Sequence, residues 1–353
     1  LEAAGENERA AAYTVEAAER ALDSLAFERG ARLLERALRL GDWSRARRYE
    51  LSRQVADLYR TLGHGGRAVE AFQTAADLAE GLDVQECRLQ ACEQMLRVGS
   101  MDRGRELLYD QLEALGFSPV DGRFRMLLSI LYNRWRLERR GFEYELRELE
   151  EIPRRERLLL RGMLTATTMF GVTDIVRGTY FHYHALRRSL DSGFPTGIAA
   201  LFCQQAAQDV SRGVQIERAE GLLERAEQLF PHCDTAWGDI EALHTFICGV
   251  VEYFCGEWVE GLEGIRDSIA IYEESYAGYV WETELFRVFA FDSLEYLGRF
   301  EELRRETPRK LEQALERGDS FHVLVYRTKL AIVCLCDGEP ERAERILSRA
   351  RDV

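Results

Sequence analysis

The stretch Ala56–Ala75, ADLYRTLGHGGRAVEAFQTA, reads as two helices joined by a glycine turn. The first helix ends near Leu62, the turn runs from Gly63 to Gly66, and the second helix starts at Arg67. Small residues stand at Ala56, Ala68 and Ala75, with the aromatics Tyr59 and Phe72 between them. Where two helix axes approach to roughly 8–9 Å, a large side chain would hold them apart, so small residues mark a close crossing.

The same arrangement recurs along the chain. Positions equivalent to Ala68 are Gly30, Gly104, Gly141, Gly178, Ala219, Gly261, Leu303 and Ala343, spaced about 36–38 residues apart in the first half and about 40–42 in the second. Twelve residues before each stands its partner: Ala18, Ala56, Cys92, Ser129, Ala166, Ala207, Gly249, Phe291 and Ala331. Only Leu303 and Phe291 are large, and they belong to the same unit. Gly63, Gly99, Gly256, Gly298 and Gly338 fall where a first helix must stop, often in the left-handed conformation that glycine tolerates. Pro119, Pro153, Pro195 and Pro231 fall between pairs, and Pro340 opens a second helix. Pro308 lies inside EELRRETPRKLEQALERG and predicts a kink or split there.

This pattern resembles the tetratricopeptide repeat, without the opening Trp and closing Pro of that consensus. The resemblance implies an all-α fold: a right-handed superhelical solenoid of about nine helix pairs with a concave inner wall. One solenoid is expected over 1–353, with a possible division into sub-arrays 1–153 and 154–353. The stretches LEAAGENERAAAYTVEAAERALDSLAFERGARLLERALRL and EYLGRFEELRRETPRKLEQALERGDSF are similar to the helical region of bacterial multidomain signalling ATPases, some of which carry a serine/threonine kinase domain. That likeness implies a fragment of a larger cytoplasmic signal-transduction protein, with this part as its docking or sensor arm.

Composition agrees with packed helices: 46% of residues are apolar, 31% charged, and only six are proline. The net charge of −14 disfavours nucleic acid and anionic membranes, both of which select basic surfaces. The eight cysteines form no CxxC pair and read as reduced, mostly buried thiols, with Cys248 and Cys255 taken as core thiols lacking a nearby histidine. His182 and His184, two apart on a helix, point about 200° from each other and cannot share a metal. No phosphate loop, kinase element or nucleophile elbow occurs. No cofactor, metal site or enzymatic activity is therefore expected. The basic run RWRLERR, Arg134 to Arg140, reads as a solvent face balanced by Glu143, Glu145 and Glu148, with an anion or acidic-segment site as its functional alternative.

In the tetratricopeptide family the first helix of each pair lines the inner wall. Carried across, that phase presents Met163, Thr167 and Phe170, then Gln204, Gln208 and Arg212, then Phe246, Val250 and Tyr253. Amides flanked by aromatics suit a peptide, or a neighbouring domain of the same parent chain. A small-molecule inducer, as in the maltose-type transcription activators, is the alternative occupant. The carboxylate clamp of chaperone-binding members is not expected, because Arg53 and Asp57 stand where it needs Lys and Asn.

Overall fold

The structure, a computed structural model, describes residues 6–213, 216–234, 239–275 and 280–349. The first five residues of the opening stretch lie outside that range. Among the described residues there are seventeen α-helices and no strand. The chain forms two compact units: residues up to Ala114, together with Val280 and residues 316–319, and then the remainder. The boundary at Ala114–Leu115 falls earlier in the chain than Pro153.

In the first unit α1 (Asn7–Asp23), α2 (Phe27–Leu40), α3 (Arg45–Thr61), α4 (Gly65–Leu78), α5 (Leu82–Arg97) and α6 (Met101–Ala114) each pack on the next. Its core gathers Ala18, Leu34, Leu51, Ala56, Tyr59, Ala68 and Phe72, all essentially inaccessible. The small-residue columns and the two aromatics of the opening stretch thus meet at one centre. The start of α3 is fixed by Ser44, whose hydroxyl accepts from Arg47 N at 3.3 Å.

The second unit opens with α7 (Arg123–Arg140), α8 (Arg154–Gly171), α9 (Ile175–Ser192), α10 (Pro195–Ser211) and α11 (Ile216–Glu227). It continues with α12 (Ile240–Cys255), α13 (Trp258–Ser275), α14 (Val280–Tyr296), α15 (Phe300–Arg317), α16 (Ser320–Cys336) and α17 (Pro340–Ser348). Crossings at small residues are tight. A Cβ placed on Gly249 would lie 2.9 Å from the Gly261 carbonyl oxygen, and one on Gly261 would lie 2.9 Å from that of Gly249. The five turn glycines all adopt positive φ, between 69° and 88°. Phe291 and Leu303, the large exceptions, are both fully buried.

One expectation from sequence fails. Nine pairs become eight pairs and one lone helix, because the residues after α7 do not form a second helix. Gly141, placed in the crossing column, instead caps α7 at φ 78°, and residues 141–148 run as an irregular strap. Phe142 and Tyr144 alternate inward onto Phe202, with ring centroids 5.8 and 6.1 Å away. Arg147 N donates to Gly193 O at 3.0 Å. Pro308, expected to kink or split its helix, does not split it: α15 runs through it. A mid-helix proline removes one backbone bond, and buried Leu303, Thr307 and Ala314 hold the helix on both sides of the gap.

Gly193 is the tightest point of the strap: its φ is 68°, and a Cβ there would lie 2.0 Å from Glu145 O. Gly193→Ala should cost about 1–3 kcal/mol through backbone strain and displacement of the strap. The control Gly221→Ala, in α11 with nothing within 4 Å of the added Cβ, should gain about 0.5–1 kcal/mol. Chemical denaturation of both variants checks the pair.

Candidate functional site

The residues expected along the inner wall separate by depth. Met163, Thr167, Phe170, Phe246 and Val250 are buried in the second unit, and Phe246 stacks on Phe286 with centroids 3.7 Å apart. Gln204, Gln208 and Tyr253 are half-buried, and Arg212 is exposed. The carried-over phase therefore meets solvent on α10 but points inward over most of α8 and α12. Beyond the first two turns of α8 the half-buried residues are Arg161, Leu164, Thr165 and Thr168, with Leu164 and Thr168 one position past Met163 and Thr167. The polarity of Thr165 and Thr168 was the available signal.

Four side chains make a polar strip of two hydrogen-bonded pairs. Thr168 Oγ1 on α8 accepts from Gln204 Nε2 on α10 at 3.1 Å. One turn on, Gln208 Oε1 accepts from Arg212 Nη2 at 3.2 Å. Beneath the strip lies a buried polar chain. His182 Nε2 of α9 is 2.9 Å from Gln205 Oε1, Gln205 Nε2 donates to Asp209 Oδ1 at 2.8 Å, and Asp209 Oδ2 lies 3.3 Å from Arg218 Nε. Because the Gln205 amide nitrogen serves the carboxylate, its oxygen must accept, and His182 Nε2 must carry the proton.

His184, two residues on, faces α7 instead. Its Nε2 is 2.9 Å from Ser129 Oγ and 3.2 Å from Asn133 Nδ2. The two rings thus serve different helices, as their spacing requires. Burial pushes His182 down to about 4, with Gln205 opposing the shift and the Arg212 charge adding to it. Burial, aided by Arg187, takes His184 down to about 4 as well.

Tyr253 belongs to a second feature, an aromatic cluster at the α12–α13 turn. Tyr253 packs against Phe254 and Tyr296, and Trp258 stacks on Tyr296 at 5.1 Å. Phe254, Trp258 and Tyr296 are exposed. Cys248 and Cys255 are not core thiols: Cys255 is exposed, Cys248 is half-buried, and His244 Nδ1 lies 3.8 Å from Cys248 Sγ. The pattern of buried cysteines holds for Cys87, Cys92, Cys203 and Cys334. Among the described residues no group of three His, Cys, Asp or Glu side chains could hold a metal ion, and no helix is long and apolar enough to cross a membrane.

Elsewhere the strongest cations are engaged. Arg53 of α3 pairs with Glu86 at 2.7 Å and donates to the Tyr49 hydroxyl at 3.2 Å, so it offers little to an incoming carboxylate. In RWRLERR the charge balance differs from expectation: Arg134 pairs with Glu138 and Arg140 with Asp191, not with the carboxylates of Glu143, Glu145 or Glu148.

The two histidines set a pH dependence. Each folded value near 4 lies below the unfolded value near 6.5, so the unfolded chain binds more protons between them. Stability is complete above about pH 6.5 and falls toward pH 4, by up to about 1.4 kcal/mol per pH unit for each ring. His184→Gln should roughly halve the loss of melting temperature between pH 6.5 and pH 5. An unchanged slope in calorimetry would remove these rings as its cause.

No protein-family model matches this chain and no curated protein matches it, so its functional reading stands on the strip, the aromatic cluster and the repeated crossings.

Proposed function

We propose that the chain is a protein-interaction scaffold: a right-handed superhelical solenoid of tetratricopeptide-like pairs that acts as the docking or sensor arm of a cytoplasmic bacterial signalling protein. The small-residue columns support the repeat, since each pair needs its neighbours to bury an apolar face and leaves its first helices facing an inner wall. The observation that carries the binding role is the half-buried strip of Thr168, Gln204, Gln208 and Arg212. Glutamine amides offer a donor and an acceptor that match peptide backbone groups, and an exposed guanidinium offers a fork for a carboxylate. The expected occupant is an extended peptide or a neighbouring domain of the parent chain. The scaffold has no catalytic step of its own.

A second reading, a small-molecule sensor, draws on the same strip, because half-buried amides beside an exposed guanidinium also suit a compact polar ligand. A photo-cross-linking residue in place of Gln208, with a control at the exposed Glu220 of α11, separates the two in the native host. The scaffold reading expects a discrete protein adduct from position 208 that Arg212→Glu weakens. A retained non-protein mass in native mass spectrometry, with no adduct, would favour the sensor. Equal adducts from both positions would contradict a site on this strip.

A further inference from the structure

The lone helix α7 is apolar on two opposite sides. Its inner side buries Met126, Asn133 and Leu137, and Ser129 and Asn133 meet His184 of α9 there. Its outer side carries Phe124, Leu127, Leu128, Leu131, Tyr132 and Trp135, whose exposure runs from 46% at Leu127 to 73% at Phe124. At about 100° per residue these six fall in one stripe about 140° wide. At about 1.5 Å per residue the stripe is about 17 Å long, or three turns. Large contiguous apolar patches on a soluble protein mark places where something binds.

Arginines border this stripe on both edges, Arg125 and Arg136 on one and Arg123 and Arg134 on the other, and Arg139 stands one turn past its end at Trp135. Arg134 pairs with Glu138 at 2.8 Å. Arg136 and Arg139 lie over the rings of Tyr132 and Trp135, at 5.7 and 5.2 Å from their centroids. Their charges are held beside the stripe without a carboxylate partner among the described residues. The helix carries six arginines and one glutamate in a chain whose net charge is −14.

We propose that the outer face of α7 is a docking surface for an acidic amphipathic helix of a partner protein. A straight three-turn apolar stripe is the shape of a helix contact. The local fold is one helix short, since every other first helix in this unit is followed by a second while α7 is followed by the strap. The arginine borders select the charge of the occupant, an apolar ridge flanked by Glu or Asp. They also oppose pairing with the α7 of a second copy, which would bring arginine rows against arginine rows in either orientation. This surface is separate from the α8–α10 strip, and its test does not depend on that strip.

The test uses the full chain and a fluorescein-labelled, designed eighteen-residue helical peptide with leucines on one face and glutamates flanking them. A twin peptide carries lysines in place of the glutamates. Fluorescence anisotropy should show saturable binding of the acidic peptide, roughly tenfold or more tighter than its twin, and weakened by salt. Leu131→Glu, at a position 62% exposed, should leave the circular dichroism spectrum unchanged and reduce binding at least about tenfold. The paired substitution Arg136→Glu with Arg139→Glu should do the same. Equal binding of both peptides, no binding of the acidic peptide below about 100 μM, or binding indifferent to Leu131→Glu would overturn the proposal. So would a dimer in sedimentation, or binding to phosphatidylserine vesicles, that Leu131→Glu abolishes, since either gives this face another occupant.

Discussion

At Gly249 and Gly261 two helix backbones lie in van der Waals contact, each carbonyl filling the place where the other's Cβ would be. That close approach is the constraint on which the remaining architecture depends. A pair of helices that meet backbone to backbone buries little side-chain surface at the crossing itself. It must gain its apolar area from the next pair, which sets the next crossing. The rule repeats with substitutions. Gly178 of α9 sits against the backbone of Gly171 and Phe170, and Gly30 of α2 against Leu22 and the Ala18 carbonyl. Phe291 and Leu303 break the rule together, and both are buried without exposed edges.

Where the pairing stops, the surface changes character. After α7 the chain turns at Gly141 and runs extended, pinned by Phe142 and Tyr144 on Phe202 and by Arg147 on Gly193. The strap covers part of the unit at the cost of one helix, and α7 keeps a second apolar face. The polar side chains of the first helices, by contrast, are arranged in depth. His182, Gln205 and Asp209 form a buried hydrogen-bonded chain that ties α9 to α10. Thr168, Gln204, Gln208 and Arg212 form the accessible layer above it. A buried polar chain of this kind fixes the rotation of α10, with Gln205 turned inward and Gln208 toward the surface.

Much of this was readable from the residues. The two small-residue columns and the turn glycines located all seventeen helices and one more, at Gly141, that does not form, because a close crossing and a left-handed stop each admit few residue types. The strap was missed because its alternation, Phe142 and Tyr144, is only three residues long and lies where the column offers Gly141. On α10 the three carried-over polar residues, Gln204, Gln208 and Arg212, are half-buried or exposed. On α8 and α12 the helices bury so wide a face that Met163 and Phe246 belong to the core. The outer stripe of α7 could not be assigned from sequence alone: RFRMLLSILYNRWRLERR is apolar over most of its circumference, and only the absence of a following helix decides which side stays open.

The central claim is that small residues at the crossings define the repeated unit, and a leucine scan of that column tests it most directly. Leucine would replace, one at a time, Gly30, Ala68, Gly104, Gly178, Ala219, Gly261 and Ala343, each variant read by thermal unfolding beside leucine at Gly66, where an added Cβ meets nothing within 4 Å. The account predicts a lower melting temperature at all seven positions and little change at Gly66. Tolerance of leucine at most of the seven would contradict it, and would mean that the columns do not set the spacing of the helices.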